Sequence, residues 1–224
     1  KHQVKDNGFA RHRLRSFPNF FVRLKARDPK ALTGSFTSWR PLYQNLTQGS
    51  DTNFFEDMSL YNKDPRVDPN LLDQKISDES IKTLQKQDQL KALFVYLHQV
   101  DETGHNFGFS RENPLYTKAI ENVDAHIGRM LQALRSRKNY AKEDWLIVVC
   151  TDHGGWQRHH SNGHARKDVT DTFMVLSGES VKQAPLPDCY QPDIAATVLH
   201  HLQAYDPKDG LDGRPIGLKN LKLL

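Results

Sequence analysis

Two short apolar runs, Ala92–Leu97 and Trp145–Cys150, flank one long stretch of helical periodicity. This spacing constrains the fold more than anything else in the chain. Each run is rich in β-branched or aromatic side chains and too short for a helix, so each predicts a buried strand. Between them Tyr116, Ala119, Ile120, Val123, Ile127, Leu131 and Leu134 keep a 3.6-residue period over 115–136, behind Pro114. A third run, Thr172–Leu176, is followed by a short amphipathic helix, Asp193–Leu202. Strand and helix alternate from 92 to 202, which predicts an α/β fold with a mostly parallel central sheet flanked by helices on both faces. Upstream, the pattern predicts a helix from Pro18 to 27 and a strand within 31–39. Residues 48–75 read as mostly loop with one short strand at 53–55, and 78–91 as a helix turned inward by Ile81, Leu84 and Leu90.

Both main runs end in an acid and an imidazole. The first leads through His98-Gln99-Val100 into Asp101-Glu102-Thr103-Gly104-His105, with a loop to Asn113. The second stops at Thr151-Asp152-His153, where Gly154 and Gly155 would let the backbone turn sharply. His159, His160 and His164 follow, so four of the 11 histidines fall within 12 residues. Open α/β sheets keep their chemistry beyond the carboxyl ends of the strands. Were these two strands adjacent and parallel, Asp101, His105, Asp152, His153 and His164 would lie within metal-bridging distance. Oxygen and imidazole donors without thiolate suit a catalytic zinc site. Two zinc ions about 4 Å apart can activate a nucleophile and neutralise both oxygens of a phosphoryl transfer. The bland alternative is a pair of polar loops with chance histidines. His98 reads as a packed neighbour of the acid, and His159 and His160 as a solvated loop. His200 and His201 read as cations at a helix end, and Trp156 as a cover for the loop or a stacking surface.

Composition excludes other classes. The 224 residues are enough for one domain with a core. No apolar run reaches the length of a transmembrane helix, and Lys1–Arg15 is too polar for a signal peptide. Residues 1–30 carry a charge of +7 and the rest −3, but no nucleic-acid-binding motif accompanies the basic stretch. Two cysteines, Cys150 and Cys189, make no disulfide framework. Cys150 reads as an inert core thiol.

The set Asp101-x-x-x-His105, Thr151-Asp152-His153-Gly154 and Gly163-His164 resembles the alkaline phosphatase superfamily, in its nucleotide pyrophosphatase/phosphodiesterase branch. Tyr116…Val123-Asp124…Ile127-Gly128 is similar to the family's helix after the first metal motif. Asp193-Ile194-Ala195-Ala196-Thr197 is similar to its Asp-Ile-Ala-Pro-Thr helix, with alanine in place of proline. Gly213-Arg214-Pro215 is similar to its closing turn.

The resemblance implies one zinc on Asp101, His105 and His164, and a second held in part by Asp152 and His153. It implies that Asn7 binds a phosphoryl oxygen of a small phosphate ester or nucleotide. It implies hydrolysis through a phospho-enzyme on a Thr or Ser that a zinc-activated water then cleaves. The family places that nucleophile and a further Asp ligand upstream of the asparagine, where this chain has only six residues. Residues 1–224 are therefore expected to be one alkaline-phosphatase-like catalytic domain lacking its N-terminal strand and nucleophile. Other hydrolases of the superfamily (for phosphomonoesters, phosphonates or sulfate esters) and a non-catalytic metal-binding module are the competing expectations. Relatives are usually exported, which favours a periplasmic or extracellular location.

Overall fold

The computed structural model describes residues 3–4, 7, 9, 13–64, 66–161 and 163–219. Its central element is a parallel sheet of β1 (Leu32–Thr37), β2 (Thr52–Phe55) and β3 (Leu90–Tyr96), in the order β2-β1-β3. Ala92 and Phe94 of β3 pack on α1 (Phe20–Arg27) and α8 (Pro192–His201) through Phe21, Leu24 and Leu199. Leu93 packs on the other side, against Leu84 of α4 (Pro69–Lys86) and Ala133 and Leu134 of α6 (Pro114–Arg135). A strand covered on both faces must be apolar on both, which is why its sequence reads as a continuous run. The α/β architecture with helices on both faces is the expected one.

Several boundaries differ. Residues 48–75 are not mostly loop: α2 (Arg40–Asn45) precedes β2, and α3 (Ser59–Lys63) and the first turns of α4 follow it. The helix expected at 78–91 starts at Pro69, capped by Asp68, whose side chain accepts the Asn70 N–H. Its first half buries Leu72 and Ile76 but also Asp73 and Ser77, and Ser80 follows on the same inward side, so the polar residues interrupt the hydrophobic period there. The second run is β4 (Ile147–Cys150), which pairs with β5 (Met174–Ser177) antiparallel rather than parallel. Among the described residues β3 and β4 do not pair, although Ile147 joins the same cluster as Leu93. Neither β4 nor β5 is a fully buried strand: Cys150 and Val175 are exposed, as is Phe173 just before β5. Cys150 and Cys189 are free thiols lining one small cleft, so Cys150 is no core residue. No helix among the described residues is long and apolar enough to cross a membrane.

Candidate metal centre

The first acid and imidazole do not hang from a strand end. They stand on α5 (Gln99–Phe107), one turn apart on the same face. The helix starts there because Asp73, wholly buried on α4, accepts the backbone N–H of His98 at 3.0 Å and of Gln99 at 2.8 Å. A carboxylate thus occupies the N-terminus of α5, satisfying donors that a helix leaves unpaired. Burial pushes the Asp73 carboxyl up to about 6, against the opposing pull of those two N–H groups.

Asp101 Oδ2 lies 3.3 Å from His98 Nε2 and 3.5 Å from His105 Nε2. Burial raises the Asp101 carboxyl, but the imidazoles of His98, His105 and His153 outweigh it and leave the group below its ordinary range. Its other oxygen, Oδ1, is buried and accepts no hydrogen bond from the described residues. His105 Nδ1 donates to the Arg158 carbonyl at 2.9 Å. A carbonyl can only accept, so in the neutral ring the proton is on Nδ1 and the lone pair on Nε2 faces Asp101.

The second pair is built in the same way. His153 Nδ1 donates to the Gly154 carbonyl at 2.9 Å, and its Nε2 lies 3.7 Å from Oδ2 of the exposed Asp152. The two glycines serve close approach rather than a sharp turn. Neither has a positive φ, but a Cβ on Gly154 would meet the Asp168 carbonyl oxygen at 2.2 Å. A Cβ on Gly155 would meet the Phe109 ring at 2.2 Å, and one on Gly104 of α5 would meet the same ring at 2.3 Å. Phe109 is therefore wedged between the helix that carries Asp101 and the loop that carries His153.

The loop closes on α5 through its backbone. Trp156 and His159 pair as a β-bridge around Gln157, whose φ of 51° is left-handed. Phe109 N–H donates to the Gln157 carbonyl at 2.7 Å. The turn delivers His160 to the two acid–imidazole pairs: its ring centroid lies 4.0 Å from that of His153 and 4.9 Å from that of His105. Donor atoms of Asp101, His105 and His160 all lie within 4.8 Å of one another. Burial, then His153, lowers the His160 imidazole, with Asp101 pulling the other way.

Of the residues singled out in the sequence, the structure brings Asp101 and His105 together and places the Asp152–His153 pair beside them. It does so through α5 and the loop after β4, not through paired strands. The side chain of His164 lies outside the described residues; its backbone sits in a short turn at Gly163–Ala165, just before α7 (Lys167–Thr170). Asn7 is exposed in a turn, and among the described residues no hydrogen bond ties it to the Asp101 cluster.

Two motifs prove to be braces. Asp193 accepts the N–H of Tyr190 and of Arg214, while Thr197 Oγ1 donates to the Asp193 carbonyl and accepts from Ile216 N–H. A Cβ on Gly213 would sit 2.1 Å from the Pro192 carbonyl oxygen. The helix and the Gly-Arg-Pro turn lock each other.

Sequence reasoning missed the place of His160, the role of Asp73 and the Phe109 wedge. The paired histidines at 159–160 were the signal for the first. Gly104, a poor helix former inside a helix, was the signal for the last.

The donor set fits a divalent transition ion. It offers carboxylate oxygen and neutral imidazole nitrogen, with each Nδ1 of His105 and His153 held on a carbonyl and one buried carboxylate oxygen left without a partner among the described residues. Among solved structures, two of murine ectonucleotide pyrophosphatase/phosphodiesterase 5 are similar, one of them an inactive threonine-to-alanine variant in complex with AMP. Each is 19% identical, with a TM-score of 0.41, and the match covers 60% of this chain and 31% of theirs. The family model described as type I phosphodiesterase/nucleotide pyrophosphatase matches residues 26–197, and the chain belongs to that family, within the alkaline phosphatase superfamily.

Proposed function

We propose that the protein hydrolyses phosphoric esters, foremost phosphodiesters and nucleotide pyrophosphates, with the aid of two divalent ions, zinc by preference. The observation that carries this is the pair of matched donor units, Asp101 with His105 and Asp152 with His153, each imidazole oriented by a backbone carbonyl. Family membership supports the reaction class.

Asp101, His105 and His164 would hold one ion; Asp152 and His153 would help hold the other. Bound there, the ions would offset the charge that builds on the phosphoryl and leaving oxygens. The chain's own residues do the rest. His98 fixes Asp101 by its contact to Oδ2, and the Arg158 and Gly154 carbonyls keep the protons on Nδ1. Asn7 would donate to a phosphoryl oxygen. The nucleophile in this proposal is a Thr or Ser outside these residues. Its oxygen attacks phosphorus, the alcohol or nucleotide departs, and water cleaves the phospho-enzyme. An exported location, periplasmic or extracellular, belongs to the same proposal, and cell fractionation tests it.

The direct test is Asp152→Asn in the full-length protein, assayed on bis(4-nitrophenyl) phosphate. Loss of a ligand should cost more than about 100-fold in kcat/KM, since even a partner of a ligand is worth 10–100-fold. Undiminished hydrolysis would sink the assignment.

A further inference from the structure

We propose that His160 is a ligand to the ion held by Asp101 and His105. The inference rests on the metal reading of this site and adds to it a residue that the family pattern does not supply. Three independent observations carry it. The first is distance: a ring nitrogen of His160 and donor atoms of Asp101 and His105 lie mutually within 4.8 Å, close enough to share one ion after small side-chain adjustment.

The second is the turn that delivers His160. Gln157 adopts a left-handed φ of 51° without being glycine, a conformation that persists only where the surroundings hold it. Here they do. The Gln157 carbonyl takes the Phe109 N–H at 2.7 Å, and the Arg158 carbonyl takes Nδ1–H of His105 at 2.9 Å. One turn thus orients His105 as a donor and, two residues later, sets a second imidazole beside it. The third is the unmet oxygen: among the described residues Asp101 Oδ1 is buried with no hydrogen bond, on the carboxylate around which His98, His105 and His160 gather. Two imidazoles and a carboxylate select a borderline transition ion over magnesium or calcium, which take oxygen cages.

Cobalt(II) replacing zinc gives the test, because its visible absorption reports coordination without any assay of turnover. Metal-free full-length protein is titrated with cobalt(II) as the wild type and as His160→Ala, His105→Ala and His160→Cys. The expected result is that His160→Ala weakens cobalt binding by about 100-fold or more, as His105→Ala does. His160→Cys should restore binding and add a near-ultraviolet thiolate-to-cobalt charge-transfer band. Unfolding midpoints of the metal-free variants should match the wild type, since His160 is only half-buried. If His105→Ala loses cobalt while His160→Ala keeps wild-type affinity and spectrum and His160→Cys shows no new band, His160 is not a ligand although the metal reading stands. If the wild type binds no cobalt, both fail.

Discussion

The candidate donor residues were legible because an acid and an imidazole at the end of an apolar run are unusual in both place and type. Asp101, His105, Asp152 and His153 stood out on that ground alone. The residues that position them did not, because their work depends on contacts far apart in sequence. Gly104 is the clearest case. Alanine would favour the helix by about 1 kcal/mol on intrinsic preference. Its Cβ, however, would lie 2.3 Å from the Phe109 ring, which is also pressed against Gly155. Overpacking of this kind costs about 1–3 kcal/mol. Gly104→Ala should therefore lower the unfolding midpoint and, by shifting Phe109, weaken metal binding. Calorimetry with and without metal reads both effects, and a variant more stable than the wild type would show that the wedge does not matter.

At the scale of elements, periodicity found β1, β3, α6 and α8 and failed where an element's buried face is polar. α4 turns Asp73, Ser77 and Ser80 inward between Leu72, Ile76 and Leu84, and α5 hides within a stretch that reads as a metal loop. The two are coupled: Asp73 on α4 caps α5. Its folded-state carboxyl sits at about 6, above the ordinary 3.8. Between those values the folded protein holds a proton that the unfolded chain releases. The contribution of Asp73 to stability is therefore greatest below the lower value and declines as pH rises through the window. Asp73→Asn removes that slope. Urea unfolding of both proteins between pH 4 and 6.5 should show the gap in stability narrowing as pH rises. A gap that widens would mean that the ionised cap is the stabilising form.

At the scale of the molecule, alternation of strands and helices predicted the α/β layers, but the pairing of strands was beyond it. Register and neighbour are set by packing on shared helices, and here β3 and β4 share the Leu84–Ala133–Leu134 cluster without pairing. The two donor pairs still meet, because α5 and the loop after β4 carry them to one place, wedged by Phe109 and joined by the turn at Gln157. The claim on which everything else depends is that this place holds metal. The measurement that tests it most directly is elemental analysis of the purified full-length protein after exchange into metal-free buffer, repeated for Asp101→Asn. The account predicts about two zinc-class ions per chain, and a clear loss in the variant. No bound ion in the wild type, even after zinc is added back, would contradict it.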